Sequence, residues 1–344
     1  MRNVNRRDRG WVKVESKDKV LFAEKINERF RRMTGVKQNC GLSVCNGMIK
    51  ESVEGINIIG CNGLPDLHNA ISKLNPKVVV IEALWLRAEN LVNISRQYPK
   101  IKFYVHIHSN INFLVVESHA IKYIDSYLRL GHGVIFNCIH AYNAFKQFTN
   151  THYLPNIYSK EFMDLRIKNN EELHIGCFGS LRPMKNHLMQ AIGAIKYADS
   201  VGKKLKFHVN STRMETGGEA IKMCLASLFQ MHPKHEIVND PWSTHGDFIK
   251  KLSLMDVSLQ VSMSESFNIV AADSVAAGVP LVTSKEIEWV SDLCYANVSD
   301  PESIAEKIGF AINSPLLVNI NRGNLTKFNE FATSKWKHFV SSHE

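Results

Sequence analysis

No apolar run in the 344-residue chain approaches the roughly 20 residues that a membrane-spanning helix needs. Cysteine is sparse and unpaired. The seven cysteines, at 40, 45, 61, 138, 177, 224 and 294, include no CxxC pair. An odd, scattered set argues against a disulfide framework and against a cysteine-based structural zinc site. It points to a reducing compartment, the cytoplasm (a host's, if the chain is viral). Fifteen histidines form no HExxH or HxxxH pattern, and the nearest approach to a metal pair is His106 with His108. No metal is therefore expected. The opening residues MRNVNRRDRGW carry charge with no apolar core behind it, so no secretory leader is expected.

Charge is present but unevenly placed. Residues 1–50 hold thirteen Lys and Arg against five Asp and Glu, and the rest of the chain is nearly balanced. A basic segment of this kind either draws a polyanionic partner, nucleic acid or an anionic membrane surface, or is simply a solvated face with a loose tail. The length allows two domains of ordinary size.

Along the chain, a basic tail gives way to a helical pattern over 11–33, with Val20, Leu21, Ile26 and Phe30 as its buried positions and Gly35 as its stop. Strands are expected at 41–45, 56–60, 77–81, 101–108 and 133–137, with helices at 67–74, 91–97 and 141–148. Tyr153-Leu-Pro-Asn156 breaks this rhythm and marks a domain boundary. Strands at 173–178, 205–209, 236–238, 256–261 and 280–283 then alternate with helices at 186–198, 219–231, 244–254, 269–277 and 301–312. A closing helix over 325–340 carries Phe328, Phe331, Trp336 and Phe339. The pattern predicts an α/β fold of two tandem Rossmann-like domains, 1–155 and 156–322, with 323–344 as the closing helix.

The stretch 261–284 carries the clearest chemistry. It reads as strand, polar loop, helix closed by Gly278, and strand, and a loop entering a helix N-terminus suits phosphate. Glu265 in the loop and Asp273, after seven intervening residues, would repel phosphate but can accept hydrogen bonds from vicinal hydroxyls. Phosphate and polyol together describe a nucleotide sugar. The plainer alternative is a solvated Glu and a helix-face Asp.

Three motifs, FGSLRPMKN at 178–186, SESFNIVAAD at 264–273 and AGVPLV at 277–282, resemble retaining GT-B glycosyltransferases of the family-four, glycogen-synthase-like group. The resemblance covers about 173–312, and YLPN at 153–156 resembles the segment by which that family enters its second domain. It implies that Glu265 binds the donor sugar and Asp273 the ribose, although the family has Glu at the second position. It also implies that Ser266, Phe267, Asn268 and Ile269 bring backbone N–H groups to the donor. Lys185 matches the family's phosphate-binding lysine. Ser180 stands where the family has its arginine after Gly179, so that role falls to Arg182, two residues on, if it is not merely a surface arginine. His106 and His108 share a strand face, so one of them touches the sugar, or both are structural. Glu82 is a weaker candidate for acceptor contact, and Asn156 for shaping the interdomain turn. Trp242 stands near the base or packs in the core, and Met214–Gly218 is a loop rather than a P-loop.

The implied function is transfer of a sugar from a UDP or GDP donor, with retention and without a metal, since the sequence has no DxD motif. The basic N-terminus tilts the acceptor towards hydroxymethylated pyrimidine in DNA, as bacteriophage GT-B enzymes glycosylate, with the base flipped into the cleft. A glycan or lipid at a membrane surface is the alternative, and a catalytically silent GT-B-like module that binds nucleic acid or protein is a third.

Overall fold

The computed structural model describes residues 19–26, 41–117, 119–167 and 171–343. The elements in order are β1 Val20–Lys25, α1 Gly41–Ser52, β2 Ile56–Cys61, α2 Leu64–Leu74, β3 Val78–Glu82, α3 Ala88–Gln97 and β4 Lys102–Ile107. Next come α4 Ile111–Leu114, α5 Ala120–Arg129, β5 Gly133–Phe136, α6 Ile139–Phe145 and β6 Thr151–Tyr153. The second half holds β7 Leu173–Leu181, α7 His187–Ser200, β8 Leu205–Met214, α8 Gly218–Met231, β9 Glu236–Asn239, α9 His245–Leu252 and β10 Val257–Gln260. It closes with α10 Ile269–Ala276, β11 Leu281–Thr283, α11 Pro301–Asn313 and α12 Leu316–Ser341.

Two separate parallel sheets result. The first has six strands in the order β2-β1-β3-β4-β5-β6, and the second has five in the order β11-β10-β7-β8-β9. Parallel strands need helices on both faces, so their central members must be apolar throughout. β3 obeys this, with all five of its residues buried.

Local chemistry sets several boundaries. Thr244 caps α9 by accepting from the Asp247 N–H. Asp300 caps α11 from the residue before Pro301, accepting from the Glu302 N–H. Asn268 caps α10 in the left-handed region at φ 59°, accepting from the Ala271 N–H.

Two expectations are corrected. Residues 20–25 form a strand between β2 and β3, not part of a helix. VLFA is buried at every position, which a one-sided amphipathic helix would not be. The other parts of the expected helix lie outside the described residues. Residues 41–45 begin helix α1, not a strand, because burial falls at Cys45, Asn46, Met48 and Ile49, a helical spacing. Helices α4 and α5 and the edge strand β6 were not anticipated.

The final helix joins the halves. Leu317 and Leu325 pack in the core of the second sheet. Further on, Ala332, Trp336, Phe339 and Val340 pack beneath the first sheet, against residues such as Val20, Phe22 and Val80. Trp336 is fully buried and donates from its indole N–H to the Pro155 carbonyl at 2.8 Å. Asn329 holds the Tyr158 backbone through both of its amide atoms, at 2.9 and 2.8 Å.

Candidate active site

The sheets face each other across a cleft of about 380 Å³ lined, among the described residues, by the C-terminal ends of their strands. From the second sheet come Gly179, Ser180, Arg182, Lys185 and the loop 264–270. From the first come His108, Ser109, Asn110 and Asn137. Every strand in each sheet points the same way, so one set of ends must gather there.

β7 reaches the cleft through an irregularity. Its register with β8 shifts between Gly176 and Leu181, and Gly179 has φ +121°, a conformation open to glycine alone. A Cβ there would also sit 3.5 Å from the Lys185 side chain. A short 3-10 turn, Pro183–Lys185, then carries the lysine inward.

Lys185 Nζ meets Glu265 Oε1 at 2.5 Å, with both side chains almost out of solvent. Arg182 also turns into the cleft. Its guanidinium bonds Glu215 Oε2 at 3.1 Å and lies over the Phe113 ring, 4.4 Å from the centroid. The sequence therefore brought Glu265, Lys185 and Arg182 to one place, but their carboxylate and aromatic partners were not foreseen, apart from Glu265 itself.

The loop after β10 belongs to the same wall and reaches across to the other. Ser266 Oγ donates to the His108 carbonyl at 3.0 Å, and Asn110 Nδ2 donates to the Glu265 carbonyl at 3.0 Å. Both bonds cross the cleft. Phe267 turns its ring away into the core, 5.9 Å from Phe328 and 6.1 Å from Trp289. Asn268 and Ile269 line the cleft at the α10 N-terminus, the positive end of the helix dipole.

Asp273 sits deeper, buried, beside a recess lined by Asn210, Trp242, Phe248 and Val270. Its Oδ1 accepts from His245 Nε2 at 2.8 Å and from the Tyr158 hydroxyl at 2.9 Å. Burial, followed by the neighbouring carboxylate, pushes the Tyr158 hydroxyl far above its ordinary value, so it stays a donor. Trp242 lines both spaces, with the Arg213 guanidinium 4.9 Å from its ring centroid.

The two histidines part company. His108 lines the cleft, while His106 is fully buried beneath it, 5.5 Å from Trp336. Glu82 lies behind both, bonding His106 Nδ1 at 3.1 Å and His108 Nε2 at 2.7 Å. Burial raises the Glu82 pKa, but the electrostatic attraction and hydrogen bonds of the neighbouring His106 and His108 outweigh it and hold the carboxyl down at about 2. Glu82 thus faces inward. Among the described residues this trio is the one group whose donor atoms lie close enough for a metal. A tetrahedral ion at about 2.1 Å keeps its ligands about 3.4 Å apart. In this structure the 2.7 Å contact is an ordinary hydrogen bond.

Sequence reasoning missed several contributors. Glu24 is buried and accepts from Asn46 Nδ2 at 2.8 Å and Ser43 Oγ at 2.9 Å, and burial raises its pKa. Asn110, Asn137, Tyr158, His245 and Glu215 were also unmarked. Nothing local distinguishes them, since each acts on a partner far away in sequence. Asn156 does line the cleft.

No family model and no curated protein matches the sequence. Solved structures do match in fold. An apo structure of OtsA superposes with TM-score 0.66 at 12% identity, covering 94% of this chain and 98% of that one. The E. coli trehalose-6-phosphate structure bound with UDP-2-fluoro glucose gives TM-score 0.61 at 10% identity, covering 94% and 97%. TarM gives TM-score 0.53 at 13% identity over 87% of this chain, which spans 58% of TarM's length. At such identities the likeness is one of fold: two Rossmann-like domains in the GT-B arrangement. No helix among the described residues is long and apolar enough to cross a membrane.

Proposed function

We propose that the chain is a glycosyltransferase that moves a sugar from a nucleotide diphosphate to an acceptor hydroxyl. The observation that carries this reading is the Lys185–Glu265 pair at the mouth of α10, between the two sheets. On donor binding, Lys185 exchanges Glu265 for the diphosphate, and Glu265 accepts hydrogen bonds from the sugar hydroxyls instead. Arg182 adds a second cation. Asp273 faces the ribose, and Trp242 faces the base.

In the reaction the bond from the anomeric carbon to the diphosphate oxygen breaks, and its electron pair leaves with the diphosphate. The acceptor oxygen bonds to that carbon and its proton passes to the leaving phosphate. Lys185, Arg182 and the α10 N-terminus stabilise the charge that develops on the diphosphate. Retention of configuration follows from the family resemblance. The DNA acceptor expected from the basic N-terminus rests on residues that lie mostly outside those described, and the described cleft adds nothing in its favour.

The test is binding and slow hydrolysis of UDP-, GDP- and ADP-sugars with EDTA present. Turnover that survives EDTA and disappears in Glu265→Ala supports the reading. A folded protein that binds no nucleotide sugar overturns it.

A further inference from the structure

Beyond His108 the cleft continues into a second chamber. His108, Ser109, Phe113, Arg182, Arg213 and Glu215 border both spaces. The new chamber is floored by Ala83 and Leu84 after β3, and its far wall is Met184, Met214 and Thr216. Neither Trp242 nor Asp273, which border the recess assigned to the nucleotide, lines this chamber.

We propose that this chamber is the acceptor subsite, that it takes an uncharged, hydroxylated acceptor such as a neutral sugar, and that Glu117 grips the acceptor's hydroxyls. The inference rests on the glycosyltransferase reading. Three observations lead to it.

The first is charge. Arg182 is 3.1 Å from Glu215, and Arg213 is 3.9 Å from the same carboxylate. Once a diphosphate draws Lys185 and Arg182, the described charges bordering the chamber are the carboxylates Glu117 and Glu215 and the single guanidinium of Arg213. A phosphorylated acceptor would be set down beside two carboxylates. A neutral polyol would find two hydrogen-bond acceptors.

The second is Glu117 itself. It is half-buried in the chamber wall, and its Oε2 accepts from Ser109 Oγ at 3.2 Å. A carboxylate offers about four acceptor sites, so the Ser109 bond leaves capacity for hydroxyl donors. Burial raises its pKa, and Arg182 is among the groups that pull it back.

The third is Phe113. Its ring face is covered by the Arg182 guanidinium. When Arg182 turns to the diphosphate, that face is released towards the chamber, where the C–H face of a sugar ring can pack on it. Donor binding would thus complete the acceptor site.

The experiment uses the full chain and whichever donor it hydrolyses. Transfer is measured to glucose and methyl glucoside, to glucose phosphate, and to an oligonucleotide containing hydroxymethylcytosine. Neutral sugars should be preferred over the phosphate by about a hundredfold in kcat/KM, as expected of like charges brought together in a confined site. Glu117→Gln should raise the KM for the neutral acceptor about tenfold, the effect of losing a charged hydrogen-bond partner, and the donor KM far less. Ser109→Ala should move the acceptor KM the same way, and Glu117→Lys should turn the preference towards glucose phosphate. Donor hydrolysis together with a preference for glucose phosphate or the oligonucleotide overturns this inference alone, as does an acceptor KM indifferent to Glu117→Gln. A wild-type chain that binds no donor overturns the parent reading and this one with it.

Discussion

Glu82 accepts a hydrogen bond from His108 Nε2 at 2.7 Å, and that bond decides which nitrogen of the ring faces the cleft. Glu82 is ionised, so it can only accept. Nε2 must carry the proton, and Nδ1, 3.5 Å from Asn137 Nδ2, is left as the acceptor. Burial lowers the His108 pKa, with the neighbouring His106 ring adding to it, so the ring is neutral at pH 7.

Glu82→Gln should therefore lower turnover by about tenfold or more, the scale of losing a hydrogen bond to a charged group, because the amide can also donate and no longer fixes the ring's tautomer. The pH profile is the sharper readout. Because Glu82 raises the His108 pKa against burial, removing its charge should move the acid limb of the profile to lower pH. A limb that stays in place, or moves up, contradicts the assignment.

Tyr158 and Asp273 give a second prediction. Tyr158→Phe keeps the ring but removes the hydroxyl bonded to Asp273 at 2.9 Å. A hydrogen bond to a carboxylate contributes about 1.5–3 kcal/mol. Chemical denaturation should show a loss of that order, and nucleotide-sugar binding, read by calorimetry, should weaken because Asp273 is less firmly held.

His187 makes stability depend on pH. It is 1% exposed, neither ring nitrogen has a hydrogen-bond partner among the described residues, and burial lowers its pKa to about 3. The unfolded ring titrates near 6.5, so below that pH the unfolded chain binds the extra proton. Its contribution is intact above about pH 6.5 and falls by about 1.4 kcal/mol per pH unit as the pH drops towards the folded value. Denaturation midpoints at pH 7 and pH 5 should differ accordingly, and His187→Leu should flatten the difference.

Trp336→Ala should cost about 3–5 kcal/mol, the usual range for emptying a large buried aromatic site. Its indole packs 5.4 Å from Phe22 and bonds Pro155. The loss should appear as release of the last turns of α12, seen as faster amide exchange over 332–341 before the rest of the protein opens.

Much of this fold was legible because burial on both faces leaves apolar runs. The β3 run and the strands 173–178 and 256–261 announce themselves. VLFA at 20–23 did not, because Lys19, Glu24 and Lys25 flank it and mimic an amphipathic helix. The α1 segment failed for the opposite reason: its first five residues alone look like a strand, and the helical spacing shows only through Ile49. In the site, the spacing of Glu265 and Asp273 was visible in one continuous stretch, and Lys185 was picked out by the resemblance of 178–186; the structure places Glu265 and Lys185 in contact. Which of His106 and His108 meets solvent was not. Period two puts both on one face, and only depth below the strand end separates them. Glu82, Tyr158, His245 and Glu117 owe their positions to tertiary packing, which no local pattern encodes.

The chain passes between the two domains twice, at 154–158 and along α12, and both passages run together, tied by Asn329 to Tyr158 and by Trp336 to Pro155. Two coincident passages would confine any opening of the cleft to a rotation about them. The bonds from Asn110 to Glu265 and from Ser266 to His108 tie the two halves across the cleft, and such an opening would have to break them. Spin labels on either side of these bonds should part when the cleft opens to release product, while labels spanning the two passages should keep their separation. The protein would then work as a jaw with one degree of freedom.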